Sequence, residues 1–161
     1  MIVYLVRHAI AEERGPDWPD DRARPLTAKG INRFRDISAR LAERGVRVSA
    51  IFSSPCVRAR QTAELLVPGW ADVPIQFVEE LAPGYAPTTT ARALNQRVAH
   101  DAIAIVGHEP DLGTLAAWML GAKSPVPFKK GGVARIDCGE VIKAGEGSLV
   151  WLVTPKMVLG A

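Results

Sequence analysis

Four short apolar runs constrain this chain more than anything else in it: "IVYLV", "SAIFSS", "PIQFV" and "AIAIVG". Each is rich in β-branched or aromatic residues, and each stops on polar groups. Segments of helical period lie between them. Strands that alternate with helices predict a mostly parallel sheet, because parallel neighbours need crossovers and the crossovers cover both faces. "IVYLV" shows no polar alternation, as expected for a strand buried on both sides. "LTAKGINRFRDISARLAERG" sets Ile31, Phe34, Ile37 and Leu41 on one helical face. Thr27 suits its N-cap and Gly45 its exit. Further helices are predicted over Cys56–Leu66, over Thr88–His100 with caps offered by "TTT", and from Pro110 to about Leu120. The tail, "GVARIDCG" and "SLVWLVT", reads as two strands joined by a turn at "KAGEGS". The expected fold is therefore a three-layer α/β/α sandwich, mostly parallel with at least one antiparallel strand.

At 161 residues the chain fits a single domain over 1–161, long enough to bury a core without disulfide staples. Only two cysteines are present, Cys56 and Cys138, so a reducing compartment is expected. The apolar start lacks the charged flank and length of a secretory signal. No apolar stretch approaches the roughly 20 residues of a membrane helix. A cytoplasmic protein with no membrane partner is the expectation. The net charge is only +3, and no run of Lys or Arg would track a phosphate backbone. Nucleic acid is not indicated.

In open α/β sheets, ligands sit beyond the carboxyl ends of the strands. Four strands deliver chemistry there: Arg7 and His8, then Ser53 and Ser54, then Glu79 and Glu80, then His108. Ser53 and Ser54 are read as satisfying backbone groups at the strand end, with donation to phosphate by either as the alternative. Arginines and histidines around one point suit a tetrahedral anion, since guanidinium stays charged and its fork matches phosphate oxygens. Arg58 and Arg60 stand near a helix start, but two residues apart they face different ways. Arg58, nearer the start, is favoured for the pocket, and Arg60 is assigned to the surface. His8 can serve as a nucleophile towards phosphorus. His108, Arg7 and Arg58 can hold the equatorial oxygens. Glu80, with Glu79 beside it, can protonate a leaving group.

At these residues the chain resembles a known family. "LVRHA" looks like the Arg-His motif of the histidine phosphatase superfamily, the phosphoglycerate-mutase-like proteins. "SSPCVRARQTAELL" resembles its Ser-x-x-x-Arg-x-x-x-Thr segment and "IVGHEP" its second-histidine segment, and "RPLTAKG" adds to the likeness. The order and spacing match over nearly the whole chain. The short length and the missing helical insertion are most similar to the SixA-type phosphohistidine phosphatases. The resemblance implies a phosphoglycerate-mutase-like fold and His8 as the phosphorylated nucleophile. It implies Arg7, Arg58 and His108 as the rest of the phosphate pocket, and neither metal nor cofactor. The partner it implies is a phosphorylated protein, such as a histidine phosphotransfer domain. One departure is Ala9, where the family usually has Gly; the methyl is tolerable if the backbone there keeps φ negative. Another is the acid, for which only Glu80 and Glu79 are available.

Other chemistries fail residue by residue. A cysteine phosphatase loop needs Arg six positions after Cys, where Cys56 has Thr62 and Cys138 has Ala144. "HEPDL" puts Leu112 where a zinc site needs its second His. Two alternatives remain open: a small-molecule phosphomonoesterase of the same fold, and a non-catalytic phosphate-binding module. His100 is read as an exposed helix-end residue, Lys29 as outside the pocket. The loop from Glu12 to Asp21, with five acidic residues against one Arg, is expected to border the site and meet a partner or repel small anions.

Overall fold

A computed structural model describes residues 1–97 and 101–160. Six strands form one sheet in the order β3-β2-β4-β1-β5-β6. They are β1 (Ile2–Arg7), β2 (Ala50–Ser53), β3 (Ile75–Phe77), β4 (Ala102–Gly107), β5 (Val133–Asp137) and β6 (Ser148–Val153). β1, β2, β3 and β4 run parallel. β5 is antiparallel to both β1 and β6, so the expected hairpin is present and joins the sheet through β1.

The strands alternate side chains between two cores. Tyr4, Val6, Ile51, Ala104 and Val106 face one way and pack on Phe34, Ile37, Leu66 and Trp70. These come from α1 (Ala28–Glu43) and α2 (Val57–Trp70), with α5 (Pro155–Leu159) beside them. Val3, Leu5, Phe52, Ile103 and Ile105 face the other way, against Leu94, Leu112, Leu115 and Met119. Those belong to α3 (Pro87–Asn95) and α4 (Asp111–Leu120). Both faces of the central strands are therefore dry, which explains why "IVYLV" lacks alternation.

The helix boundaries depart from expectation in instructive ways. α1 starts as read, with the Thr27 hydroxyl accepting from the Gly30 amide at 2.9 Å. α2 runs past Leu66 to Trp70, straight through Pro68. Trp70 is fully buried and its indole N–H donates to the Ser38 carbonyl at 3.0 Å, so packing on α1 carries the last turn despite the proline. α3 begins at Pro87, before "TTT", without a side-chain cap. Its expected end at His100 lies outside the described residues. α4 starts at Asp111, so Pro110 sits just before the helix rather than in its first turn. α5 was not anticipated. Thr154 caps it, Pro155 opens it, and Gly160 at φ +76° closes it. Cys56 and Cys138 are free thiols. Among the described residues no helix is long and apolar enough to cross a membrane.

Candidate active site

The parallel strands β1, β2 and β4 end side by side. Their following residues, His8, Ser54 and His108, meet at one edge. The His8 amide donates to the Gly107 carbonyl at 3.1 Å, and the Ser54 amide to Val106 at 3.0 Å. The rings of His8 and His108 lie 5.2 Å apart, centroid to centroid. Both are buried.

The His8 Nδ1 donates to the Ala9 carbonyl at 2.7 Å. A carbonyl only accepts, so this bond places the ring proton on Nδ1 and leaves the Nε2 lone pair for chemistry. Burial, with Arg58 and Arg7 nearby, lowers the His8 pKa to about 3, although the Ala9 bond opposes the shift. Burial and the neighbouring His8 push His108 down to about 2. Both imidazoles are neutral at physiological pH. Ala9 is buried and has negative φ, so the methyl in place of the family's glycine is accommodated. Its amide donates to the Thr62 hydroxyl at 3.0 Å, and that hydroxyl donates to the Arg58 carbonyl at 2.7 Å. Thr62 thus ties the histidine's backbone to α2.

Three buried side-chain nitrogens among the described residues lack a hydrogen-bond partner: Arg7 Nε, Arg58 Nε and His108 Nδ1. All three belong to residues singled out in the sequence. Leaving a buried donor unpaired costs about 1–3 kcal/mol, and natural proteins leave few. The arginines are otherwise anchored. Arg7 donates to the Phe128 carbonyl at 2.7 Å. Arg58 donates to the Asp21 carbonyl at 2.7 Å and to its carboxylate at 3.0 Å. Each guanidinium is held through its terminal nitrogens and keeps Nε unmet. Arg60 is exposed and pairs with Glu64, as expected.

The two acidic candidates separate. Glu79 is exposed and gripped by Arg22 through two bonds of 3.0 and 2.8 Å, which hold its carboxyl below the usual range. It is not a free acid. Glu80 is half-buried and lines a cleft together with Gly107 and His108.

Several contacts go beyond the sequence reading. Ser54 is more than a backbone partner: its hydroxyl lies 2.8 Å from His108 Nε2 and accepts from the Cys56 amide at 3.2 Å. Ser53 keeps the expected role, donating to a backbone carbonyl. Arg24 is buried, bonds Asp21 at 2.9 Å and the Glu12 carbonyl at 2.7 Å, and adds positive charge near His8. Its one signal was its place at the head of "RPLT". Asp21 belongs to the acidic loop and is the counter-ion of Arg58 and Arg24, with its side chain still partly exposed. Its charge is balanced within the chain, so the loop's net outward acidity is smaller than its composition suggests.

A strand-end Arg-His pair, a second histidine from the neighbouring strand and three unmet nitrogens gather at one edge of an α/β sheet, and comparison gives the class. The profile of the histidine phosphatase superfamily (branch 1) matches residues 3–83. The chain belongs to that family and is a phosphatase. It is 35% identical to an uncharacterized protein of Picosynechococcus sp. strain PCC 7002, with 99% of each chain covered. It is 28% identical to the phosphohistidine phosphatase SixA of Escherichia coli strain K12, over 96% of this chain and 94% of that one. The solved structure of the protein histidine phosphatase SixA complexed with tungstate superposes with a TM-score of 0.83 and 26% identity, covering 98% of this chain and 99% of the other.

Proposed function

We propose that the chain removes phosphate from a phosphorylated histidine of a protein, through a covalent phosphohistidine on His8. The Nε2 lone pair of His8 attacks phosphorus as the substrate's N–P bond breaks. The departing imidazole keeps that electron pair and takes up a proton, from Glu80 or water. Water then attacks the phosphorus held on His8, the second N–P bond breaks, and phosphate leaves with Nε2 restored. Arg7, Arg58 and His108 hold the oxygens throughout, where charge gathers in the transition state.

The observation that carries this reading is the set of unmet nitrogens on Arg7, Arg58 and His108 around a histidine whose Nε2 is free. A SixA protein holds tungstate, a tetrahedral oxyanion shaped like phosphate, in the same fold. Phosphohistidine fits the modest acid provision. An imidazole leaving group has a pKa near 6.5, far below a sugar alkoxide, and needs little help from a half-buried Glu80.

The test is phosphate release from a phosphohistidine protein and from a sugar phosphate, by wild type, His8→Ala and Glu80→Gln. The expectation is turnover of phosphohistidine that requires His8, with Glu80→Gln losing less than about tenfold. Faster turnover of the sugar phosphate would contradict the substrate assignment. Retained phosphate binding with no turnover of either would make the chain a binding module.

A further inference from the structure

The loop after Phe128, the second turn of α1 and the start of α5 enclose a groove of about 520 Å³. Five cations line it, namely Arg7, Arg33, Lys129, Lys130 and Lys156, and no acidic residue does. Among the described residues, Arg33, Lys129, Lys130 and Lys156 make no ion pair. The arginines around the catalytic edge differ: Arg22, Arg24 and Arg58 all face carboxylates. Like charges gathered without counter-ions repel one another and draw anions. The groove shares Arg7 with the site. Arg7 lines its wall, is anchored to the Phe128 carbonyl at its edge, and acts electrostatically on His8.

We infer that this groove docks an acidic segment of the phosphorylated protein whose phosphohistidine enters the site, an inference that rests on the proposed function. Arg7 belongs to both surfaces, so an occupant of the groove and the phosphoryl group on His8 are neighbours. The same partner molecule supplies both. The size exceeds what one phosphate fills. Ile10 and Pro155 give the groove an apolar floor suited to side chains. No aromatic ring lines it to stack a base, which favours an acidic polypeptide over nucleic acid. The adjoining thiol-free, exposed lysines can be changed without touching Arg7.

Two phosphohistidine peptides test this, one flanked by Asp and Glu and one by Ser and Gly. They are compared on wild type, on the double variant Lys129→Glu with Lys130→Glu, and on Lys156→Glu from a different element. At low salt, wild type is expected to prefer the acidic peptide about tenfold in kcat/KM, mostly through KM. The preference should vanish in both variants and in high salt, with the neutral peptide turned over as before. Equal handling of the peptides by wild type, or an unchanged preference in the variants, would overturn the inference. Fluorescence anisotropy with an unphosphorylated acidic peptide gives an independent reading. If neither phosphopeptide is hydrolysed, the proposed function fails, yet lysine-dependent binding of that peptide still supports the groove and its absence overturns it. Tighter binding of poly(U) than of the acidic peptide would also overturn it.

Discussion

His8 and His108 are two buried imidazoles 5.2 Å apart, and each is fixed by one neighbour. Ala9 fixes His8 through Nδ1, and Ser54 touches His108 at Nε2. The Ser54 hydroxyl accepts from the Cys56 amide, so its own proton is available to His108 Nε2. When Ser54 donates to Nε2, the His108 proton sits on Nδ1, the unmet nitrogen that would donate to a phosphate oxygen. With pKa values near 3 and 2, both rings should stay neutral at pH 5.5, where a solvated histidine is mostly protonated. Long-range nitrogen–proton NMR should show both as Nδ1–H tautomers, and an imidazolium at either would contradict the account. Ser54→Ala should lower kcat/KM about tenfold to a hundredfold by freeing the His108 ring. It should also lower the melting temperature, since the Cys56 amide loses its acceptor. The residues that end strands were legible in the sequence because a strand run announces its own terminus. The pairings of Ser54 with His108 and of Asp21 with Arg58 were not, because the partners come from distant positions and a hydroxyl or carboxylate carries no mark of whom it will face.

At the scale of elements, the turn after β1 is held by the start of α1. The Thr27 amide donates to the Ile10 carbonyl at 3.0 Å, and a Cβ at Gly30 would collide with that carbonyl oxygen. Only glycine permits the approach. Gly30→Ala should destabilise the fold by about 1–3 kcal/mol, the usual toll of forcing an atom into packed space. Because Ile10 follows the His8–Ala9 pair closely, kcat/KM should fall as well. Denaturant titration and kinetics check both, and a variant as stable as wild type would refute the contact. Strand positions and the α1 start were readable from period and cap. The end of α2 was not, because "LVPGW" holds Pro68 and Gly69, which locally oppose a helix. Tertiary contact won there: Trp70 is buried, and a Cβ at Gly69 would lie 3.0 Å from Ala42 Cβ. The α5 signal, Thr154-Pro155 with Gly160, was present in the sequence but brief.

Over the whole molecule, the two cores share one sheet, and we propose that 1–161 unfolds as one unit. Heat and denaturant should then give a single transition by every probe. The buried histidines make that transition acid-sensitive. Their folded pKa values lie below the unfolded value near 6.5, so the unfolded chain binds protons first as pH falls. The stability they leave intact is complete above about pH 6.5 and erodes as pH drops towards 3. The melting temperature should therefore fall between pH 7 and pH 4, less steeply in His8→Asn. An identical slope in that variant would contradict neutral burial of His8. The central claim is covalent chemistry at His8, and trapping tests it most directly. The enzyme would be mixed with a phosphohistidine protein, quenched rapidly in alkali to preserve N-linked phosphate, digested, and mapped by mass spectrometry. The account predicts one added phosphoryl group on the peptide carrying His8, absent when His8→Ala is used. Turnover without any phosphorylated enzyme, or with the phosphoryl group on another residue, would contradict it.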